Sequence, residues 1–452
     1  MTYDLAIRGG TLVDPHGRAR LDLYVQDGRV AEVVPPQRSH SARETVDATG
    51  ALVLPGMVDT HVHFMDPGDE TREDFPSGSA GAAVNGVTTV VEHTHGWPVR
   101  TVDELAHKRA HLEGRSHVDF GLAAHVWPEH IPELPALWQA GVTFFKAFTC
   151  ETHGVPAITA GLMLEMLASV AQMDAVCLVH CEDDLICESS EKRLRALGRD
   201  DPGVLPAWRS REAEMVAVGT VATLARKTAA RTGIAHVSSP DVLELIAARQ
   251  SGGEPLVVES CPQYLLLREA EVLEHGSFRK FTPPARTRTD EDERRMWSAF
   301  NRGAIQLLSS DHAPSTAEQK RSGSIWDTPF GLPGIDTTFA VMLDAALTGR
   351  TSLERLVEAY SSVPARHYRL AGKGSLAPGA DADVCIVDPH VHRTLDDSLV
   401  QSKAGWTPYA GREVRGAVLR TILRGRTVAR DGAVEGGRGG RFLPGPGARA
   451  GS

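Results

Sequence analysis

Cysteine is scarce in this chain, with six residues among 452. Cys177, Cys181 and Cys187 lie near one another but form no Cys-x-x-Cys pair, and the remaining cysteines are scattered. This usage is typical of reduced, mostly buried thiols in a cytosolic protein. It argues against a structural zinc site built from cysteines.

Excess positive charge and long apolar runs are also lacking. The formal net charge is −10 and the pI is near 6.0, whereas a nucleic-acid-binding domain is normally basic. No apolar run reaches the roughly 18 residues that a membrane helix needs. The start, Met1-Thr2-Tyr3-Asp4, has no basic region followed by an apolar one, as a signal peptide would. We therefore expect a cytoplasmic protein that acts on a small molecule and binds neither nucleic acid nor membrane.

The two ends of the chain have the texture of short strands and turns. Residues 1–52 contain apolar alternation broken by Gly9-Gly10 and Asp27-Gly28, and a similar pattern returns in residues 373–435. An isolated small sheet is weak, so we expect both ends to pack together as one discontinuous β domain. Residues 436–452 are rich in Gly, Arg and Pro and are predicted to be a disordered tail.

The middle of the chain, residues 53–372, has a different pattern. Short apolar runs, beginning with one at 53–58, alternate with longer helix-like stretches such as 102–113 and 240–250. This alternation predicts a parallel sheet covered by helices. About eight strands can be counted, which favours a closed (β/α)8 TIM-like barrel over a doubly wound sheet.

Two histidines follow the first apolar run. Side chains i and i+2 of a strand point to the same face, so His61 and His63 direct two imidazoles towards one point. Neutral imidazole is a common metal ligand near pH 7. Taken alone, such a pair would more often be two ordinary strand histidines.

Further polar residues stand at the ends of later apolar runs. They are Lys146, His180, His236 and Asp311. The carboxyl ends of barrel strands converge on one face, where catalytic residues lie. Six such residues in equivalent places predict a metal centre there, although each one alone would more often be structural.

Lys146 is an unusual member of this group, because a protonated ammonium has no lone pair. Its pKa shifts readily on burial. The neutral amine can take up carbon dioxide, and the resulting carbamate has two oxygens that can bridge two cations. The alternative is a salt bridge to a carboxylate, and the spacing alone does not decide between the two.

The motifs resemble those of the cyclic amidohydrolases of the amidohydrolase superfamily, which include hydantoinases and dihydropyrimidinases, allantoinases and dihydroorotases. The resemblance extends from Ile7 to about Gly425. The matching segments are Pro55-Gly56-Met57-Val58-Asp59-Thr60-His61-Val62-His63, Glu73-Asp74-Phe75-Pro76-Ser77-Gly78, Gly86-Val87-Thr88-Thr89-Val90, Phe145-Lys146-Ala147-Phe148, Val179-His180-Cys181-Glu182, Ala235-His236-Val237-Ser238, Glu259-Ser260-Cys261-Pro262-Gln263-Tyr264-Leu265, Ser310-Asp311-His312-Ala313-Pro314 and Lys403-Ala404-Gly405-Trp406-Thr407-Pro408-Tyr409.

This resemblance implies a cofactor and a ligand set. Two divalent metal ions, expected to be zinc, would be bridged by N6-carboxylysine at Lys146. His61, His63 and Asp311 would hold one metal, and His180 and His236 the other. The resemblance also implies a β-sandwich formed by both termini and a homo-oligomer, either a tetramer or a dimer.

The same resemblance implies hydrolysis of the C–N amide bond of a cyclic amide or ureide. A metal-bridged hydroxide would attack the carbonyl, and Asp311 would act as general base and then as general acid. Loss of ligands would instead indicate a non-catalytic, dihydropyrimidinase-like scaffold protein, but all six ligand positions are present. A deaminase or an aminoacylase on the same barrel would not be expected to have the Glu259–Leu265 segment.

The substrate is less well defined, because the chain departs from each subfamily pattern. Dihydroorotases have a carboxylate-binding Arg where this chain has Met65, a carboxylate-binding Asn where it has His95, and a His where it has Ser315. Hydantoinases have a Tyr five residues after the lysine, and Glu151 stands there.

We therefore expect a neutral ring of hydantoin, dihydropyrimidine or allantoin type, with dihydroorotase as the disfavoured alternative. The predicted substrate contacts are Met65, His95, Glu151, Thr282, Phe330 and Gly331. His93 and His95 could form a third metal cluster, although a role in the pocket wall is favoured.

Overall fold

Twenty strands are present in the part of the chain that the structure, a computed structural model, describes, namely residues 2–253 and 255–449. The strands are β1 (Tyr3–Arg8), β2 (Thr11–Asp14), β3 (Gly17–Arg20), β4 (Asp22–Gln26), β5 (Arg29–Val34), β6 (Ala42–Asp47), β7 (Leu52–Pro55), β8 (Met57–Val62), β9 (Val87–Glu92), β10 (Asp119–Leu122), β11 (Ala124–His125), β12 (Phe145–Phe148), β13 (Val176–His180), β14 (Arg231–Ile234), β15 (Leu256–Ser260), β16 (Leu307–Leu308), β17 (Val384–Thr394), β18 (Glu413–Leu423), β19 (Arg426–Arg430) and β20 (Ala433–Val434).

Helices follow most strands of the middle region. They are α1 (Phe75–Val84), α2 (Val102–Leu112), α3 (Leu134–Ala140), α4 (Ala160–Gln172), α5 (Asp184–Ala196), α6 (Val204–Trp208), α7 (Arg211–Thr228), α8 (Pro240–Gln250), α9 (Pro262–Leu266), α10 (Glu271–His275), α11 (Asp290–Asn301), α12 (Ala317–Arg321), α13 (Thr338–Leu347), α14 (Leu353–Val357) and α15 (Val363–His367). Several begin at side-chain caps that the sequence supplies. Thr101 and Glu104, for example, form a capping box at the start of α2.

The middle strands are parallel and follow the order of the chain. One sheet has the order β10-β9-β8 and the other β11-β12-β13-β14-β15-β16. Backbone hydrogen bonds join the edges of these sheets: Thr143 N donates to Leu122 O over 2.8 Å, and His63 N donates to His312 O over 2.7 Å. The carboxyl ends of all these strands therefore lie on one face, as the alternating pattern predicts.

The strands of the two termini form sheets that combine both ends of the chain. One sheet has the order β5-β4-β1-β6, and the other has the order β20-β19-β18-β17-β7-β2-β3. Strand β7 pairs antiparallel with β17, with Val53 opposite Ile386. Strands from both ends of the chain therefore share one sheet.

The structure divides the first apolar run differently from the prediction. The run predicted as one barrel strand at 53–58 is split at Gly56, so that β7 joins the sheet of the termini and only β8 joins the parallel sheet. A Cβ on Gly56 would lie 2.1 Å from Thr88 Oγ1. The close approach to this neighbouring strand requires glycine where the chain changes sheets.

The described part of the glycine-rich tail is ordered, in contrast to the predicted disorder. Phe120 N donates to Arg441 O over 2.9 Å and Leu443 N donates to Phe120 O over 2.7 Å, so this segment pairs with β10. The composition did not reveal this, because the partners are distant in sequence. Residues 450–452 of the predicted tail lie outside the described residues. Among the described helices, none is both long and apolar enough to cross a membrane.

Candidate metal centre

All six residues predicted to ligate metal lie around one small cavity at the carboxyl ends of the parallel strands. His61 lies in β8, Lys146 lies in β12 and His180 ends β13. His63 directly follows β8, whereas His236 and Asp311 lie two and three residues beyond the ends of β14 and β16. The lining residues of this inner cavity are His61, His63, His95, Lys146, Phe148, His153, His180, His236, Thr282, Asp311, Ala313 and Gly331. The prediction that these strand ends converge therefore describes the geometry correctly.

His61, His63 and Asp311 form one half of the cluster. The Nδ1 atom of His61 lies 2.7 Å from Glu259 Oε1, and that of His63 lies 2.8 Å from the His93 carbonyl oxygen. These contacts turn both Nε2 atoms towards Asp311 Oδ1, at 3.2 and 3.4 Å. Such outer partners fix the orientation of metal-binding imidazoles.

His180 and His236 form the other half. His180 Nδ1 lies 3.0 Å from His236 Nε2, and His180 Nε2 lies 3.0 Å from Glu182 Oε2. Burial alone would raise the pKa of Glu182, but the guanidinium groups of Arg209 and Arg286 hold it well below its usual range. The ionised Glu182 thus orients His180 so that Nδ1 points to the cavity.

Lys146 lies buried in this cluster without a hydrogen bond. Its Nζ has no partner in the described part of the chain, and the residue is only 1% exposed. Burial lowers its pKa, an effect that the carboxylates of Glu259 and Asp311 partly oppose. Burial therefore favours the neutral form of this amine.

The donor set fits divalent metal ions. Burial, followed by the charge of neighbouring groups, lowers the pKa of His61 and of His236 well below the ordinary value, so these imidazoles keep a free lone pair. Donor atoms of His61, His236 and Asp311 lie within 4.8 Å of one another, as do those of His61, His63 and His93. Imidazole nitrogen with carboxylate oxygen is a ligand combination that zinc accepts.

Several residues at or near this cavity have a strained backbone. Met65, His153, His236 and Asp311 have φ values of 56°, 55°, 37° and 49°. Residues other than glycine seldom adopt this left-handed conformation, and such strain is common at functional sites.

The predicted substrate contacts are divided between this cavity and its neighbour. His95, Thr282 and Gly331 line the inner cavity. Met65 and Phe330 line an outer cavity of about 300 Å³, which His95 and His153 also line. Five of the six predicted contacts therefore line one or both of these cavities.

Glu151 is placed differently from the prediction. Its side chain is exposed and lines neither cavity. Its backbone N donates to Asp184 Oδ1 over 2.8 Å, and its carbonyl oxygen accepts from Arg209 over 3.3 Å. These backbone contacts turn the side chain towards solvent, so the predicted contact with substrate is not supported.

Sequence reasoning missed His153, which lines both cavities. Burial, and secondarily the Arg72 guanidinium, lowers its pKa well below the ordinary value. The residue follows no apolar run, and the only local signal is that it precedes Gly154 in a turn. Glu182 and Glu259 were within matching motifs, but their roles as partners of His180 and His61 needed the three-dimensional contacts.

The outer cavity contains two cations that are already engaged. Lys280 donates to Trp326 O over 3.0 Å and lies 4.5 Å from the Phe330 ring, and burial lowers its pKa to about 8. Arg72 donates to the carbonyl oxygens of Pro314 and Phe330 over 2.9 and 3.3 Å. These contacts hold both side chains in place, although each keeps further N–H donors.

Comparison with known proteins gives extended matches. A family model described as the amidohydrolase family matches residues 52–428. The chain is 35% identical over 448 residues to a protein named allantoinase from Rubrobacter xylanophilus, covering 98% of this chain and 97% of that one. It is 33% identical over 442 residues to a protein named L-hydantoinase from Paenarthrobacter aurescens, covering 96% of each.

Solved structures give the same picture. The structure of L-hydantoinase (dihydropyrimidinase) from Arthrobacter aurescens superposes with a TM-score of 0.94 at 32% identity, covering 98% of this chain and 100% of that one. A dihydropyrimidinase from Brevibacillus agri superposes with a TM-score of 0.91 at 27% identity, covering 98% and 99%.

Proposed function

This chain belongs to the amidohydrolase family and is a hydrolase of cyclic amides, and we propose that it opens the ring of a neutral cyclic ureide with two divalent metal ions bound. The observation that carries this proposal is Lys146. Its amine is buried without a hydrogen-bond partner in the described part of the chain, among four imidazoles and Asp311. Carboxylation of the amine would supply the missing partners.

Each ligand has a proposed assignment. His61, His63 and Asp311 would hold one zinc ion, His180 and His236 the other, and carboxylated Lys146 both. The orientation of the imidazoles supports this division, because the two Nε2 atoms face Asp311 while His180 Nδ1 faces His236. When bound, two such ions polarise an amide carbonyl and make water a stronger nucleophile.

The chain itself supplies the proton transfer. Asp311 lies at the cavity with its side chain 13% exposed. Its carboxylate is placed to accept a proton from the attacking water and to return it to the leaving ring nitrogen. His61 and His63 restrict its position on one side.

A neutral ring fits the cavities better than an acid. Met65 stands where a carboxylate clamp would be expected, and the guanidinium of Arg72 is bonded to backbone carbonyls. A hydantoin, dihydropyrimidine or allantoin-type ring satisfies these limits. Dihydroorotate would lack the arginine that dihydroorotases have at the position of Met65.

The proposal also covers the closure of the barrel, the domain formed by both termini and the oligomeric state. The hydrogen bonds between the edges of the parallel sheets support a closed (β/α)8 barrel. The pairing of β7 with β17 supports a composite β-sandwich of residues 1–52 and 373–435, except that residues 53–55 join it. We further expect a dimer or a tetramer in solution.

A substrate panel tests the function. Protein purified with zinc and bicarbonate is expected to contain about two zinc ions per chain and to open hydantoin, dihydrouracil or allantoin faster than dihydroorotate. Faster opening of dihydroorotate would overturn the substrate class. Absence of bound metal together with absence of ring opening would instead favour a scaffold protein.

A further inference from the structure

A tight turn after β12 directs His153 towards the metal cavity. Thr152 and Val155 pair through backbone hydrogen bonds of 3.2 and 2.9 Å. The two residues between them, His153 and Gly154, have φ values of 55° and 74°. Two consecutive positive φ values are the mark of a type I′ turn, so the turn holds His153 in a conformation that costs free energy for a side chain with a Cβ.

Aromatic contacts restrict the plane of the His153 ring. It stacks on His95 with ring centroids 4.3 Å apart and an angle of 11°, and His95 stacks in turn on His63 at 4.2 Å. Phe330 lies 5.8 Å away on another side. The imidazole therefore has a defined orientation at the junction of the inner and outer cavities.

The Thr152 hydroxyl lies beside one ring nitrogen of His153. Thr152 Oγ1 lies 3.0 Å from His153 Nδ1, and this is its only hydrogen bond in the described part of the chain. Thr152 is 5% exposed, and a buried hydroxyl needs an acceptor for its proton. When the hydroxyl donates to Nδ1, the proton of the neutral ring lies on Nε2.

His153 Nε2 is then a buried donor without an acceptor. It has no hydrogen-bond partner among the described residues, although the ring as a whole is partly exposed. Leaving such a donor unpaired is unfavourable, and a ligand with a carbonyl oxygen would satisfy it.

Few other side chains at the inner cavity can donate to a substrate. Six of the lining residues form the metal-ligand set, and Phe148, Ala313 and Gly331 have no polar side-chain atom. The Thr282 hydroxyl already donates to Glu182 Oε2 over 2.6 Å. Only the two stacked imidazoles remain.

We propose that His153 is a substrate-binding residue whose Nε2–H donates a hydrogen bond to a carbonyl oxygen of the bound cyclic ureide. This rests on the proposed function, because a ring carbonyl is the acceptor it requires. His95 would act as the platform that keeps the donor in place.

The variant His153→Phe tests this proposal, because it keeps an aromatic ring that can stack on His95 but removes the donor. We expect kcat/KM for the best ring substrate to fall about tenfold or more, the typical effect of losing one such hydrogen bond. Zinc content and Tm should stay unchanged. The ring-opened product should inhibit the variant less strongly than it inhibits the wild type, by a similar factor. His153→Gln, which restores an N–H donor, should recover part of the loss.

Two further variants sharpen the test. His275→Phe makes the same change at an exposed histidine in α10 and is expected to behave as the wild type. Thr152→Val removes the hydroxyl that sets the tautomer and should give a smaller loss than His153→Phe. Equal kcat/KM in His153→Phe and His275→Phe would overturn the role of His153 but would leave the proposed function intact. A wild-type protein that neither binds nor opens any cyclic ureide would overturn the proposed function and this inference together.

Discussion

Lys146 is the residue on which the metal centre most depends. Its Nζ is buried without a partner in the described residues. Lys146→Ala is therefore expected to lose most of its bound metal and most of its activity, while far-UV circular dichroism stays unchanged. A short carboxylic acid added to the variant should restore part of both by standing in for the carbamate. Metal analysis and ring-opening rates measure the effect. A variant with full zinc content and full activity would contradict the bridging role.

Asp336 gives a prediction about pH. Its Oδ1 accepts from Gln401 N over 2.8 Å, its Oδ2 has no partner among the described residues, and burial raises its pKa to about 6. An unfolded aspartate titrates near pH ~4. The contribution of Asp336 to the free energy of unfolding is therefore fully present below about pH 4 and is lost as pH rises through about 6. The free energy of unfolding falls by about 3 kcal/mol over this range.

Asp336→Asn removes this ionisation. The Tm of the variant relative to the wild type is expected to increase between pH 4 and pH 7, because only the wild type acquires a buried charge. Thermal melts at several pH values measure the difference. Asp200→Asn, at an exposed carboxylate, serves as control and should follow the wild type throughout. Parallel melting profiles for Asp336→Asn and the wild type would contradict the prediction.

Residues at strand ends were predictable, and residues in turns were not. His61, His180 and Asp311 follow apolar runs, and the parallel fold brings such positions together. The backbone contacts of Glu151 turn its side chain towards solvent, whereas His153 stands in a turn with a positive φ of 55°. Counting positions from Lys146 therefore selected the exposed residue and missed the enclosed one.

Glu151→Gln provides a direct check on that distinction. Because the side chain is exposed and lines neither cavity, we expect kcat/KM and its dependence on substrate to change by less than about twofold, the scale of most surface substitutions. Steady-state kinetics on the substrate panel provide the measurement. A large rise in KM would instead indicate that Glu151 contacts the substrate.

At the scale of elements, the tail shows how glycine allows close packing. A Cβ on Gly440 would lie 2.0 Å from Val118 O, whereas nothing lies within 4 Å of a Cβ on the adjacent Gly439. Composition predicts disorder for such a segment because it contains few apolar residues. Its backbone contacts with β10 are long-range, and composition contains no information about them.

This pair of glycines gives a matched experiment. Gly440→Ala is expected to detach the tail or to lower stability by about 1–3 kcal/mol through steric overlap, and Gly439→Ala should have little effect. Thermal melts and limited proteolysis at the C-terminal end distinguish the two variants. Equal resistance to proteolysis would show that the tail does not need the close approach.

At the scale of the whole molecule, the order of the elements was predictable. The alternation of strands and helices indicated parallel strands with helices between them, and the strands at the ends indicated association of the termini. The exact point of exchange at Gly56 was not predictable, because it depends on the position of Thr88 in the neighbouring strand. Local sequence predicts where an element lies in the chain, but it does not predict which distant residues that element packs against.

Metal should also stabilise the molecule as a whole. The proposed ligands come from strands spread from β8 to β16, so bound ions would favour the folded state. Removal of zinc by a chelator is expected to lower the free energy of unfolding by about 4 kcal/mol if free zinc had been about 1,000-fold above its Kd. Differential scanning calorimetry before and after zinc is restored measures this change. Identical melting curves would contradict a metal-dependent centre.

The sheet shared by the two termini has a consequence for synthesis on the ribosome. Strand β7 finds its partner β17 only after the entire middle region has been made, and the tail then adds to β10. The parallel strands can begin to assemble as they emerge, whereas β7 must wait with one open edge. Unpaired strand edges are prone to aggregation. Chains that stop early would therefore release a nascent protein with an incomplete sheet, which makes premature termination a cause of aggregation for this enzyme.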